Sequence, residues 1–251
     1  MTDAPAWLTD VPYAHRGLHG PGAPENTLAA FARAVEAGVG IELDVHATVD
    51  GHAVVLHDPD LTRTAGRALD VRRAPLDEVR AHPLTGSDLP VPTLAEVLEL
   101  VAGRVPVMVE VKNLGRGVGV VEEATARVLD EHVAAPYSVA SFHPGTVRWF
   151  ALRRPGLVRG RTSGVLADAP LPAPVRAAMR RLVGVQRSRP HYLSYELAGL
   201  PNAAVSRLRA AGLPVITWTV RDRAGVERAR EHADQCIFES LDPAEVTSRH
   251  G

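Results

Sequence analysis

The sequence predicts an α/β fold, a TIM-type (β/α)8 barrel with a small insertion after the third strand. Three observations predict it. Short apolar runs alternate with helical patterns along the chain, the signature of βα units around a parallel sheet. The length of 251 residues suits one barrel domain, 1–251, without forcing a second. No glycine-rich phosphate fingerprint opens a helix after the first strand, which weighs against a doubly wound open sheet.

The first strand is expected at 12–15 and the first helix at 27–37, where Leu28, Phe31 and Val35 share a face and Gly38 ends the pattern. Strands at 40–45 and 53–57 follow. Their link through Val49, Asp50 and Gly51 is too short for a helical crossover, so these two strands form a hairpin. That hairpin accommodates nine strand candidates in the eight places of a barrel. Residues 59–92, rich in Pro, Gly and charge, read as an insertion over the barrel mouth. Thr93 and Glu96 form a capping box for a helix continuing through Leu94, Val97, Leu98 and Val101. Strands at 105–111, 137–142, 157–162, 191–196, 213–220 and 236–239 then alternate with helices at 120–132, 146–153, 175–183, 203–211 and 224–231.

Composition excludes several classes. Basic and acidic residues number 28 and 29, without the excess that a nucleic-acid surface needs. Cys236 is the single cysteine, which rules out an internal disulfide and makes a thiolate zinc site unlike this chain. No window reaches the length of an apolar membrane span, and the first ten residues lack a secretory pattern, so a soluble, cytoplasmic protein with no stable membrane insertion is expected. Ten Arg and one acidic residue, Asp168, fall within 148–189; a solvated face is the expected reading and an anionic-lipid surface the alternative. Of the 28 basic residues, 27 are Arg and one is Lys112.

Charged residues inside apolar strands carry the chemistry, because a buried charge needs a partner or a metal. Glu42 and Asp44 alternate with Ile41, Leu43 and Val45 and therefore share a strand face, about 6.6 Å apart along it. Glu110 and Lys112 repeat the pattern. His15 and His57 are expected at strand ends, followed by Arg16 and Asp58. The C-terminal ends of parallel barrel strands are where such sites are built. Three carboxylates there repel one another unless a cation intervenes, and an all-oxygen set favours Mg²⁺ or Ca²⁺. The competing reading is a buried ion network that merely neutralises Arg16 and Lys112. A second metal reading places zinc on His15 and His19, as in an amidohydrolase-like site. Two His that titrate near neutrality suit acid and base, and Arg16, Lys112 and a cation suit a phosphoryl group.

These residues also resemble a known family. His15, Arg16 and Gly17; Pro24 to Thr27 with Phe31; Glu42 to Val45 with Thr48, Asp50 and Gly51; and Val55 to Asp58 are similar to the glycerophosphodiester phosphodiesterase family. Leu61, Arg63, Thr64, Pro92 to Leu94, Glu110 to Lys112, Ser141, Phe142 and Trp218 to Val220 extend the resemblance from residue 15 to about 243. It implies a TIM-type barrel that hydrolyses a small-molecule glycerophosphodiester to glycerol 3-phosphate and an alcohol. It further implies Glu42, Asp44 and Glu110 as ligands of one divalent cation, Mg²⁺ or Ca²⁺, His15 and His57 as the acid/base pair, Arg16 and Lys112 as phosphate contacts, and Trp218 as a pocket wall. The long loop 18–23, Arg221 in place of a common Asn, and the final Glu239 and Ser240 depart from the pattern and resemble a less characterised bacterial branch. Two alternatives stand beside the diesterase. One is a phospholipase D-type enzyme of the same barrel acting on lysophospholipid or sphingomyelin; the other is a barrel that binds a phosphorylated ligand without turnover.

Overall fold

The structure, a computed structural model, describes residues 4–115, 117–132 and 135–247. Its strands are β1 (Tyr13–His15), β2 (Gly40–Ala47), β3 (Ala53–Val55), β4 (Val107–Val111), β5 (Tyr137–Ser141), β6 (Val158–Ser163), β7 (Tyr192–Glu196), β8 (Val215–Val220) and β9 (Gln235–Phe238). The helices are α1 (Trp7–Asp10), α2 (Leu28–Glu36), α3 (Thr62–Ala65), α4 (Leu76–Arg80), α5 (Leu94–Val101), α6 (Val120–Glu131), α7 (Pro144–Arg153), α8 (Ala173–Arg180), α9 (Ala203–Ala210), α10 (Arg223–His232) and α11 (Pro243–Thr247). Each of the nine expected strands forms, with ends that move by at most two residues. The chain divides into two compact units, one of residues 14–137 and one of the described residues 4–13 and 138–247.

In the unit of 14–137, β2 is the central element. It is buried along its whole length and pairs in parallel with β4, placing Asp44 opposite Glu110. It also pairs with β1 and, antiparallel, with β3 through Val45↔Val55, His46↔Val54 and Ala47↔Ala53. The expected hairpin is therefore present. Its turn is pinned by the Thr48 hydroxyl, which donates to Asp50 and accepts from the His52 N–H. Two of the helices packed on this sheet, α2 and α5, start where the sequence puts them. The Thr27 hydroxyl accepts from the Ala30 N–H, and Thr93 and Glu96 make both bonds of the capping box. Residues 59–92 fold as short helical turns around Leu61, Val71, Ala74, Val79, Leu84 and Val91, which pack with Val54 and Leu56 into one apolar cluster. This insertion thus has a small core rooted on the hairpin.

In the second unit β5, β6, β7, β8 and β9 run parallel and in sequence order. One face packs Leu193, Tyr195 and Val215 against Leu182, Leu200, Val205 and Leu213 of the connecting segments. On the other face the Tyr192 ring lies over Gly160, where any Cβ would collide with it, and its hydroxyl reaches Ser138 Oγ at 3.0 Å. Among the described residues no helix is long and apolar enough to cross a membrane.

His191, at the entry to β7, is 6% exposed, and its Nδ1 accepts the Arg159 backbone N–H at 3.2 Å. Burial, reinforced by the Arg159 charge, pushes its pKa down to about 4. The unfolded chain takes up this proton near pH 6.5 while the folded chain does not, so stability falls as pH drops from about 6.5 to about 4. Between pH 7 and pH 5 the loss amounts to about 2 kcal/mol. In urea unfolding the loss between pH 7 and pH 5 should be smaller in His191→Gln than in the wild type by about that amount, the remainder coming from groups such as the buried His46, whose pKa is also pushed down to about 4 by burial; equal losses would place the acid sensitivity elsewhere.

Candidate active site

The sharp corner after β1 begins the site. Arg16 (φ 57°) and Gly17 (φ 81°) are both left-handed, and a Cβ on Gly17 would lie 2.9 Å from the Ala30 backbone and the Phe31 ring. The corner turns the Arg16 N–H onto Glu42 Oε2 at 3.3 Å, its guanidinium onto Glu25 at 2.9 Å, and its Nε to 3.5 Å from Asp44 Oδ2. His15 Nε2 lies 4.0 Å from Glu42 Oε2. Asn26, also left-handed at φ 55°, closes the loop by donating its backbone N–H to Arg16 O and its amide to Asp44 Oδ2 at 2.9 Å.

On β2 and β4 the alternation works as the sequence predicts. Glu42, Asp44 and Glu110 each offer an oxygen such that the three atoms lie within 4.8 Å of one another, and the residues are at most 9% exposed. Lys112 Nζ bridges two of them, 2.8 Å from Asp44 Oδ1 and 2.5 Å from Glu110 Oε1. Burial opposes ionisation of Asp44, but Lys112, His57 and Arg16 outweigh it and hold this carboxyl well below the usual range. Burial pushes Glu42 the other way, and its neighbours Asp44 and Glu110 reinforce the rise. Burial also opposes the charge on Lys112, yet Asp44 and Glu110 keep its pKa above the ordinary value.

The cluster is short of positive charge. Including the outer partners Glu25 and Asp58, five carboxylates face Arg16, Arg63 and Lys112, a formal surplus of two negative charges. That surplus is what one divalent cation neutralises, and the all-oxygen donor set is of the hard type. Among the described residues the buried Asn26 Oδ1 beside Asp44 has no hydrogen-bond partner, a further acceptor suited to a cation or its water. The residues present therefore fit a cation. Among the described residues, His15 and His19 are not part of this group.

His57 reaches the cluster by a different route from the one expected. Strand β3 stops at Val55 and runs antiparallel, so its end does not point the way the parallel strands do. Instead β2 overshoots to Ala47, the chain turns, and the return path brings residues 56 and 57 back level with Asp44, whose carbonyl accepts the Leu56 N–H. The His57 carbonyl is bonded to His46 Nε2, and its Nδ1 sits 2.7 Å from Asp58 Oδ1. Burial, with Lys112 and Arg16 nearby, lowers the His57 pKa against the pull of Asp44. Glu25, Asn26 and Asp58, which the sequence offered only as motif letters, are all wired to site residues.

Trp218 lies in the other unit, on β8, in register with Glu196 of β7. Its ring meets Phe142 edge to face at 5.6 Å. In the same unit Arg221 and Glu239, two separate departures from the family pattern, form one ion pair at 2.8 Å.

Comparison with solved structures gives the class. The chain superposes on a phosphodiesterase from Oleispira antarctica, solved in complex with the product sn-glycerol-3-phosphate, with a TM-score of 0.80 over 95% of this chain and 96% of that one, at 23% identity. At that identity the likeness establishes the fold, a TIM-type (β/α)8 barrel with an extra strand, as the sequence predicted. The model of the glycerophosphoryl diester phosphodiesterase family matches residues 15–239, and the chain belongs to that family. A glycerophosphodiester phosphodiesterase from Caldanaerobacter subterraneus subsp. tengcongensis is 30% identical over 86% of this chain and 87% of its own length. One from Bacillus altitudinis is 37% identical over 55% of this chain, a match spanning 60% of that relative.

Replacing Gly17 tests the corner that aims Arg16. Gly17→Ala adds a strained left-handed Cβ against backbone that cannot yield, and should cost about 1–3 kcal/mol in urea unfolding. A neutral substitution would show that the corner adapts.

Proposed function

We propose that the chain is a divalent-cation-dependent phosphodiesterase that hydrolyses glycerophosphodiesters to glycerol 3-phosphate and an alcohol. The observation that carries the reading is the set Glu42, Asp44, Glu110 and Lys112 in a chain matched to the family from 15 to 239. Because that match runs through both units, it also favours one catalytic domain with an insertion at about 59–92.

Glu42, Asp44 and Glu110 would hold the cation, Mg²⁺ or Ca²⁺, and it would supply positive charge to neutralise the phosphate. Arg16 and Lys112 add positive charge for the phosphate. His57 presents Nδ1–H to Asp58, which leaves Nε2 as the acceptor of a proton from the attacking oxygen. His15, beside Glu42, donates a proton to the departing alkoxide. A second reading, the same chemistry on a lysophospholipid, is favoured by the exposure of Leu114 (60%) and Val120 (77%) in the segment that follows Lys112.

Purified protein incubated with glycerophosphocholine, glycerophosphoethanolamine, glycerophosphoglycerol or a lysophospholipid should release glycerol 3-phosphate or lysophosphatidate with one of the two cations and not with chelator. Silence with every diester would favour a binding barrel. His15→Ala and His57→Ala should each cost roughly 10²- to 10⁴-fold in kcat; losses of only a few-fold would remove the acid/base assignment. Adding Mg²⁺ or Ca²⁺ should raise the thermal midpoint of the wild type, since a ligand bound only by the folded state stabilises it. Asp44→Asn should abolish that rise, and a retained rise would place the cation elsewhere.

A further inference from the structure

Arg63 has no part in the roles above. It sits on α3 in the insertion with its side chain 49% exposed, yet its guanidinium is fully directed. Nε donates to Asp58 Oδ2 at 2.6 Å, and the two terminal nitrogens fork onto Glu25, at 3.0 Å to Oε2 and 2.7 Å to Oε1. Each of these carboxylates has a second contact that leads inward. Asp58 Oδ1 lies 2.7 Å from His57 Nδ1, and Glu25 Oε1 accepts from Arg16 at 2.9 Å. One guanidinium therefore ties down two carboxylates, and each carboxylate fixes one group that faces the acidic cluster.

We propose that Arg63 is a positioning residue that sets the orientation of both His57 and Arg16, through Asp58 and Glu25 respectively. The fork is the reason for arginine here. A planar guanidinium grips two oxygens of Glu25 and one of Asp58 in fixed directions, whereas an ammonium holds the charge without the angles. The Arg63 bonds also help keep both carboxylates ionised, against their burial, so both remain acceptors. At half exposure the network adds little to stability, so its removal is expected to show in turnover rather than in melting. The consequence for kinetics depends on the hydrolytic reading; the geometry does not.

Steady-state kinetics on the best diester substrate, paired with ¹⁵N NMR of the His57 ring, tests the proposal. Arg63→Gln should lower kcat by about tenfold or more and raise KM, since a misaimed base and a loosened phosphate contact are both costly, with the thermal midpoint nearly unmoved. The His57 Nδ1 resonance should shift. Arg63→Lys should recover only a minor part of the loss. Asp58→Asn combined with Arg63→Gln should lower kcat by clearly less than the product of the two separate losses, because one of the two routes from Arg63 runs through Asp58. Turnover within about twofold of wild type with unmoved His57 resonances would overturn the proposal, and so would full activity in Arg63→Lys or additive losses in the double variant. A wild type that turns over no diester, with the His57 shift still present in Arg63→Gln, would overturn the hydrolytic reading and uphold the coupling.

Discussion

Three carboxylates held against one another where water is nearly excluded set the terms for everything around them. Repulsion between Glu42, Asp44 and Glu110 is strongest where screening is weakest, and the strand ladder prevents it from relaxing. Asp44 and Glu110 are register partners across β2 and β4, and the Lys112 N–H is bonded to the Val45 carbonyl, so separating the charges would mean breaking the sheet. The chain answers locally instead. Lys112 is two residues from Glu110, Arg16 arrives on a left-handed corner, and Asn26 is delivered by the entry to α2. Burial together with Asp44 and Glu110 raises the proton affinity of Glu42, the part of the repulsion that Lys112 and Arg16 leave uncancelled.

The insertion is part of the same answer at longer range. Leu61 is fully buried in the small core that the insertion shares with Val54 and Leu56, and it lies two residues before Arg63. A half-exposed guanidinium therefore has a fixed root. That root lets a surface side chain hold Asp58 and Glu25 in defined directions, where a free arginine would lose side-chain entropy for each bond. Residues 59–92 thus bear on the site through charge and orientation while supplying none of the three clustered carboxylates.

How much of this was legible in the sequence follows from the range of each interaction. The period of two in 41–45 and 109–112 is a local rule, so Glu42, Asp44, Glu110 and Lys112 could be put on shared faces from spacing alone, and the capping box at Thr93 is equally local. His57 comes level with Asp44 by a route that strand spacing does not give. Its approach depends on how far β2 overshoots before the hairpin turns, which the tripeptide at 49–51 does not encode. Glu25 and Asn26 were not separable from their motif because their partners are found through left-handed residues at 16 and 26, and a non-glycine residue in that region leaves no compositional mark. Arg221 and Glu239 looked like two unrelated departures, eighteen positions apart, until one ion pair joined them.

Lys112 shows what composition can add once geometry is known. In a chain that uses Arg at 27 of its 28 basic positions, the natural expectation for any buried cation is arginine. Position 112 admits one nitrogen, 12% exposed, wedged between oxygens of Asp44 and Glu110 at 2.8 and 2.5 Å. An ammonium satisfies both from a single point with three donors. A guanidinium spreads its charge over a planar fork with five donors and would leave some of them unpaired or push the two carboxylates apart. Pushing them apart would also move the oxygens that converge with Glu42, so the same substitution would disturb the space a cation needs. The departure from arginine thus coincides with the position where a point charge fits and a fork does not.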